Sequence, residues 1–350
     1  MLKTPISFVD LRGKSPIDLL RSYPDRAQAL VKAARRTYGK LSYAASALAL
    51  PIADKKSHAW LKRTCDPYLY EIETFAEILG VPGIYALNLS YEWGCTSGAY
   101  PTDETVSLLR VLDWPFPELG RHVMVVLQRG RAGEFYNITW PALSGVYTGM
   151  APRRFSAALN QAPMRGHHLT YFGDWLQNRR QVRHELGLPP AHLLRQVFEQ
   201  AESYEAAREI LAKTPLAMPA IFILSGVRPG DGCIIERLEH EVEITDLGAS
   251  QQASASNHFN SRLAAVGKGW RPRAQDSQGR WRQSCSLHGH DLEQGNFDWL
   301  QSPMVNPFTR VAVVADAASG RLMVQGFEGA TRVTELFNLP AELERERKVI

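Results

Sequence analysis

The stretch "YEWGCTSGAY", Tyr91 to Tyr100, followed by "LLRVLDWPF", Leu108 to Phe116, decides how this chain is read. A cysteine stands between a glycine and two hydroxyl residues, and the strand-like run after it carries one arginine and one aspartate. A cysteine that only fills a core needs neither charge. A reactive thiol needs a base to take its proton or a cation to favour its thiolate. If the Gly94–Cys95 bond is cut, Cys95 gains a free α-amine with a pKa of about 7.7–8, suited to accept its own thiol proton near neutral pH. Gly94 suits such a bond by letting the chain bend tightly. Arg110, permanently positive, then holds the thiolate, and Asp113 orients the amine. Residues three apart on a regular strand face opposite ways, so both reach one thiol only if the strand bends or bulges around Val111 and Leu112.

Before this stretch, residues 1–94 read as mostly helical. "PDRAQALVKAARRTYGKL" and "PYLYEIETFAEILG" repeat apolar residues at three- and four-residue spacing, the second stopping at Gly80 and Pro82. After Cys95 the texture becomes short apolar or alternating runs punctuated by Gly and Pro: "TVSLLRVLDW", "RHVMVVLQ", "GEFYNITW" and "RRFSAALN", which predict antiparallel strands. Helical spacing returns in "PAHLLRQVFEQA" and "SYEAAREILAKT". Strands follow in "PAIFILSG", "GCIIERLEHEVEITDL", "FTRVAVVADA" and "GRLMVQGFEG". Strands, then helices, then strands predict two sheet layers with helices outside, an α+β arrangement rather than a regular βαβ alternation. "AAVGKGWRPRAQDSQGRWRQ", Ala264 to Gln283, reads as a long loop or a loop leading into a helix.

Composition sets the outer bounds. The 350 residues are 45% hydrophobic and 22% charged, those of a chain that buries a core rather than a disordered one. A net charge of +4 from 40 basic and 36 acidic residues calls for no nucleic-acid partner. Cys65, Cys95, Cys233 and Cys285 form no CxxC pair, which argues against a zinc site or a disulfide framework and for a reducing compartment. Asp10, Arg12 and Lys14 sit where an export signal needs its apolar centre, and the apolar run Tyr43–Ala53 is too short to span a bilayer. The expectation is a cytoplasmic protein without a membrane segment.

"GCTS", "LRVLDWPF" and "SGVYTGMAPRRFSAALNQAP" together resemble the acid ceramidase and N-acylethanolamine acid amidase group, relatives of the choloylglycine hydrolases within the N-terminal-nucleophile hydrolases. The resemblance runs from about Pro67 to about Phe327, because "PAIFILSG", "GDGCIIER", "SNHF" and "DSQGR" continue it in order. It implies a four-layer αββα sandwich of two antiparallel sheets. Residues 1–94 would form a helical segment that stays bound after self-cleavage, and residues 95–350 the catalytic sandwich. The resemblance makes Cys95 the nucleophile, Arg110 and Asp113 the pair that tunes and orients it, and Asn160 and Asn257 amide donors around the substrate carbonyl. Arg280 becomes the last arginine of the set, with Arg282 the competing position. Val111 departs from the group, which usually carries asparagine there. The implied activity is hydrolysis of the C–N bond of a linear N-acyl amide: ceramide-, N-acylethanolamine- or N-acyl amino acid-like. The partner is thus a small-molecule amide, and neither a metal nor an organic cofactor is required. Two other readings stand beside it: transfer of the acyl group to an amine, and an unprocessed protein that binds acyl amides without turning them over.

Other motifs carry less. His288, His290 and Asp291 in "SLHGHD" have metal-ligating chemistry but read as solvated polar residues. "GKS" at Gly13–Ser15 lacks the first glycine of a phosphate loop, since Phe8 occupies its place. Trp270 and Trp281 among arginines have the composition of a single-strand nucleic-acid surface, against which stands a loop that covers the active site. Trp93, Trp114, Trp140 and Tyr147 suit an acyl pocket and a closed core equally.

Overall fold

The computed structural model describes residues 3–38, 43–89, 93–167, 170–248, 252–267 and 269–339. Its strands are, in chain order, β1 (Ser7–Asp10), β2 (Gly94–Pro101), β3 (Val106–Asp113), β4 (Met124–Gly130), β5 (Gly133–Thr139) and β6 (Thr148–Ala151). They continue with β7 (Phe155–Gln161), the short β8 (Met164–Arg165), β9 (Ala220–Ser225), β10 (Gly232–Arg237), β11 (Val242–Asp246) and β12 (Ala253–Ala255). The short β13 (Trp270–Arg271), then β14 (Thr309–Asp316) and β15 (Arg321–Glu328), complete the set used below. One sheet runs β1-β4-β5-β6-β7-β9-β10-β11 and the other β12-β2-β3-β14-β15, where the short strands Thr331–Arg332 and Phe337–Leu339 also pair with β15; β8 and β13 pair apart from both. Helices α8 (Pro190–Gln200) and α9 (Tyr204–Lys213) cover the outer face of the first sheet, and α10 (Ser277–Cys285) and α11 (Gly289–Glu293) that of the second. The result is the four-layer αββα sandwich, antiparallel throughout except where β1 joins β4 in parallel.

Alternation along the central ribbon sorts its side chains between two apolar layers. Cys95, Ala99, Val106, Leu108 and Leu112 belong to the core between the sheets, whereas Tyr100, Leu109 and Val111 pack outward with Leu287 and Leu292 of the α10–α11 layer. All eight residues of β3 are buried, because both faces are covered. This is why its sequence is nearly continuous in apolar residues.

The helical reading of the first segment matches α1 (Pro16–Ser22), α2 (Pro24–Tyr38), α3 (Tyr43–Arg63), α4 (Leu69–Leu79) and α5 (Ile84–Leu89). Helix α4 stops where Gly80 adopts the left-handed conformation at φ 61°. The apolar run Tyr43–Ala53 falls inside α3, and no helix among the described residues is long and apolar enough to cross a membrane. Several elements escaped the sequence pattern, β6, β12 and α11 among them. Strand β1 was read as part of a helical segment, α7 (Tyr171–Val182) was not anticipated, and "GCIIERLEHEVEITDL" is a hairpin of β10 and β11 closed by Leu238–Glu241 rather than one strand. Residues Gly39, Lys40, Leu41, Tyr91, Glu92 and Lys268 of the quoted stretches lie outside the described residues.

The first segment is tied to the sandwich by buried polar groups. His192 of α8 is fully enclosed; its Nδ1 lies 2.7 Å from Asp66 Oδ2 and its Nε2 2.8 Å from Ser144 Oγ. Asn88 Oδ1 accepts from the Ser144 backbone N–H at 2.9 Å, and Arg195 Nη2 donates to Glu71 Oε1 at 2.8 Å while its guanidinium lies over the Tyr68 ring. Removing one member of a buried pair strands the other, which costs about 3–5 kcal/mol. His192→Ala is therefore expected to lower the unfolding free energy by about that amount at constant m-value, as read from urea unfolding.

Candidate active site

Cys95 is the second residue of β2, wholly buried between the sheets. Its thiol donates to the Leu159 carbonyl at 3.8 Å and accepts from the Gln161 backbone N–H, so the end of β7 lies directly against the sulfur. Its backbone is held equally firmly. Cys95 N–H donates to Asn257 Oδ1 at 2.7 Å, and its carbonyl accepts from Ser256 Oγ at 2.8 Å and from Arg280 Nη1.

Arg110 and Asp113 do not meet at the thiol. The β2–β3 register is unbroken from Gly94 opposite Asp113 to Pro101 opposite Val106, so the bulge expected around Val111 and Leu112 is not in β3. The irregularity sits on the neighbouring strand, where Arg310 is inserted between Thr309 and Val311 of β14. Alternation then puts Arg110 on the face of Cys95, between the sheets, and Asp113 on the outer face beside Gly94. The two charges bracket Cys95, Arg110 on the sulfur side and Asp113 on the side of the peptide bond that precedes it.

Gly94 has no left-handed φ, so its role is not the tight bend that the sequence suggested. It is close approach: a Cβ there would lie 3.1 Å from Ala274 Cβ and 3.2 Å from Asp113 Cβ.

Around Arg110 a single guanidinium nitrogen makes the hydrogen bonds. Its Nη1 donates to Ser97 Oγ at 3.2 Å and to Asn160 Oδ1, and Ser97 Oγ donates to the same Asn160 oxygen at 2.7 Å. Asn160 Nδ2 donates to the Ala255 and Ser256 carbonyls, both at 3.1 Å. The Asn160 side chain thus fixes Arg110 and β12, and its amide hydrogens are engaged within the protein. Arg110 Nε and Nη2, buried, have no hydrogen-bond partner among the described residues.

On the outer face, Arg280 is 1% exposed and binds three elements at once. Its Nη1 also donates to Thr96 Oγ1 at 3.1 Å, Nη2 donates to Asn257 Oδ1 at 2.8 Å, and Nη1 lies 3.7 Å from Asp113 Oδ2. Arg282, the competing position, is exposed. Asp113 accepts from Thr309 Oγ1 and Asn306 Nδ2, each at 2.8 Å. Asn257 Nδ2 donates to the Gln161 carbonyl at 2.8 Å, which closes a ring of contacts from Cys95 N through Asn257 to the strand end beside the sulfur.

Burial dominates the electrostatics. It pushes the Cys95 thiol up, with Arg110 the largest opposing influence, and it also pushes the Asp113 carboxyl up against the neighbouring Arg280. In the uncut chain Cys95 is thus a protonated thiol next to a cation.

The remaining sequence features fall into place. Trp93, Trp114, Trp140 and Tyr147 meet in tilted and edge-on contacts, with Trp93–Trp114 centroids 5.2 Å apart, and all are nearly fully buried. They form core, and Trp93 alone of the four also lines the cleft beside Gly94. In the Arg/Trp stretch, β13 pairs with β8, Trp270 Nε1 donates to the Leu263 carbonyl, Trp281 Nε1 donates to the Ser254 carbonyl, and Ala274 lies over Gly94. Its tryptophans are committed inside the protein, and its backbone lies across the site. A cleft of about 220 Å³ reaches the site between this strap and Asn306 and is lined by Gly94, Asp113 and Gln275. His288, His290 and Asp291 come within 4.8 Å of one another beside the turn that joins β2 to β3, at the far end of the ribbon, and both imidazoles are exposed. Ser97, Ser256, Thr309, Asn306 and Gln161 were not singled out from the sequence. Only adjacency to Cys95, Asn257 and Asn160 marked three of them.

The model of the family described as linear amide C–N hydrolases, choloylglycine hydrolase family, matches residues 95–270, and so begins at Cys95 itself. The chain is 30% identical to acid ceramidase of Heterocephalus glaber over 233 residues, 60% of this chain and 57% of that protein. It is 29% identical to N-acylethanolamine-hydrolyzing acid amidase of Cavia porcellus over 178 residues, 49% of this chain and 48% of that protein. The chain spans about half the length of these relatives. The solved structure of the Caenorhabditis elegans N-acylethanolamine-hydrolyzing acid amidase ortholog shares the fold, with a TM-score of 0.50 at 21% identity, covering 70% of this chain and all of that one. The chain belongs to the choloylglycine hydrolase family of linear amide C–N hydrolases.

Proposed function

We propose that this protein is a cysteine N-terminal-nucleophile amidohydrolase that cleaves the C–N bond of a linear N-acyl amide after cutting its own Gly94–Cys95 bond. The observation that carries the reading is the placement of Cys95. Its sulfur faces Arg110 and the Gln161 N–H, its nitrogen is held by Asn257, and Asp113 flanks the bond before it.

In the uncut chain Cys95 Sγ attacks the Gly94 carbonyl, and the nitrogen departs with a proton as the α-amine. Water entering by the cleft beside Gly94 and Asp113 hydrolyses the thioester, releasing the Gly94 carboxylate and restoring the thiol. The new amine then takes the thiol proton, and the sulfur attacks the substrate carbonyl. The Gln161 N–H and Asn257 Nδ2 converge on this region and are suited to hold the oxyanion. The leaving amine collects the proton from the Cys95 ammonium, and water resolves the acyl-enzyme. Arg280 and Asp113 keep Cys95 in place throughout. No step calls on a metal or organic cofactor.

Intact mass measured under denaturing conditions tests the reading. Two fragments meeting at Gly94 and Cys95 support it; a chain that stays whole at every pH supports the non-catalytic binder instead. A direction with pH is also expected. The released amine has an ordinary pKa of about 7.7–8, so below that range the thioester intermediate takes up one proton as its ammonium, and each unit of acidification favours the thioester over the uncut amide about tenfold. The sign for Asp113 agrees. Its raised carboxyl contributes stability below the ordinary aspartate range, which is lost as pH rises through the raised value, so a proton stays beside the departing nitrogen in mild acid. Conversion of the uncut chain is expected to run at least about tenfold faster near pH 5 than near pH 8, followed by mass.

A further inference from the structure

One short loop answers the Asp113 carboxyl. Its Oδ1 accepts from Thr309 Oγ1 and its Oδ2 from Asn306 Nδ2, each at 2.8 Å. Arg280 Nη1, 3.7 Å from Oδ2, is outside hydrogen-bond reach and is committed to the Cys95 carbonyl and Thr96. Among the described residues, then, both hydrogen bonds to this buried carboxyl come from uncharged donors.

The loop fixes which way each donor points. Asn306 Oδ1 accepts from the Phe308 N–H at 3.0 Å, so the amide presents Asp113 with Nδ2, which can only donate. Thr309 Oγ1 accepts from the Asn306 N–H at 3.0 Å, and its one hydrogen goes to Asp113 Oδ1. Two donors aimed at one carboxyl favour its charged form and oppose the burial that disfavours it.

The bulge on β14 decides what faces Asp113. Residues Val311 to Ala315 pair with Leu112 to Leu108 in unbroken steps, and one more regular step would put Arg310 opposite Asp113. Instead Thr309 stands there and Arg310 turns away, its Nε donating to the Phe116 carbonyl at 2.7 Å and its Nη1 lying 3.5 Å from Glu328. A guanidinium directly opposite would keep Asp113 ionised far into acid; a hydroxyl and an amide leave it able to gain and lose a proton. The oxygen that meets Asn306 is also the one against the junction to be cut, since a Cβ on Gly94 would lie 3.3 Å from Oδ2. The other titratable groups facing this carboxyl are Arg280 of α10, Arg110 of β3, Cys95 of β2 and the diverted Arg310, with Arg273 of the strap on the wall of the same cleft.

We propose that Asn306 and Thr309 are positioning residues: delivered by the β14 bulge, they hold the Asp113 carboxyl against the Gly94–Cys95 junction with neutral donors and so set the pH at which it exchanges its proton. Their part in the reaction rests on the amidohydrolase reading; their hold on the carboxyl does not.

The test follows self-cleavage of the full chain against pH, by intact mass, in Thr309→Val, Thr309→Ser and Asn306→Leu. Loss of a donor to the carboxylate raises the pH at which Asp113 ionises, so the limb of the profile that Asp113 sets moves to higher pH whichever of its forms is active. Thr309→Val and Asn306→Leu are each expected to move it up by about one unit or more. Thr309→Ser, which keeps the hydroxyl, is expected to leave it in place. An unmoved limb in Thr309→Val and Asn306→Leu, or a shift in Thr309→Ser as large as in Thr309→Val, overturns the proposal even where the melting temperature falls, because a loop that only packs changes stability and not the profile. Should one of the two fail to fold, the other decides. The carboxyl is also read without any activity, from the NMR resonance of the Asp113 carboxyl carbon, assigned by its absence in Asp113→Asn and titrated in the uncut Cys95→Ala background. If the wild type never cuts itself but this titration moves up in both variants, the amidohydrolase reading fails and the hold on the carboxyl stands. A titration that neither variant moves overturns the hold alone.

Discussion

Cys95→Ala is expected to remain a single chain of 39.2 kDa under conditions in which the wild type separates at Gly94–Cys95, and to hydrolyse N-acyl amides at background. One atom is removed, and two reactions disappear together. In the proposed mechanism the sulfur attacks Gly94 in the first reaction and the substrate carbonyl in the second, and neither Ser97 nor Ser256 is placed to replace it. Ser97 Oγ is spent on Asn160 and Ser256 Oγ on the Cys95 carbonyl. The expected loss is at least about 10⁴-fold in kcat/KM, because groups that act as a unit fail as a unit. Folding should change little, since the site loses one small atom; the cost is about 1 kcal/mol or less. A near-normal melting temperature with no cleavage and no turnover is therefore the signature. Residual amidase activity in Cys95→Ala would sink the mechanism, and Cys95→Ser should retain slow self-cleavage because its oxygen occupies the same place.

Arg280→Met is expected to produce the next largest effect, on both stability and rate. Arg280 donates to the Cys95 carbonyl, to Thr96, to Asn257 and to the Gln275 carbonyl, while lying 3.7 Å from Asp113. Burial already lowers the pKa of its guanidinium and raises that of Asp113, so each needs the other. Methionine fills much of the volume but strands a buried carboxylate. The expected destabilisation is about 3–5 kcal/mol. The expected fall in kcat/KM is at least about a hundredfold, since Asn257 loses the contact that orients it and the Cys95 nitrogen is no longer fixed. Denaturant unfolding and steady-state kinetics check the two separately. A variant of wild-type stability and rate would show that Arg280 holds nothing the site needs.

The architecture was legible in the sequence where burial is one-sided or complete over several residues. The runs that became β3, β9 and β14 are apolar because both faces of each are covered, and the amphipathic runs that became α4, α8 and α9 announce one buried face. Strand β1 was missed because four residues are too few for a period and its pairing is with β4, far along the chain. Helix α7 was missed because Gly173 and several polar residues blur its apolar face. Within the site, the residues in chemically distinctive strings, Cys95, Arg110, Asp113, Asn160, Asn257 and Arg280, are brought to one place. Their division between two faces was also implicit in the odd spacing of Arg110 and Asp113; the alternation was right and the expected bulge was not. Thr309, Asn306 and Ser256 stayed hidden because hydroxyls and amides are common everywhere, and only the folded register of β12 and β14 against the ribbon selects these three.

Strand β1 carries one further consequence. It closes the edge of the first sheet through Ser7–Asp10 against Met124–Leu127, and it lies upstream of the Gly94–Cys95 bond that the proposed self-cleavage breaks. Once Gly94 and Cys95 part, that sheet is assembled from two polypeptides, and a fold that was reached within one molecule can be regained only by collision between two. The tether that supplied roughly millimolar effective concentration during folding is gone. The mature protein then persists through the slowness of its disassembly rather than through an equilibrium it can revisit, and dilution after unfolding is a one-way passage.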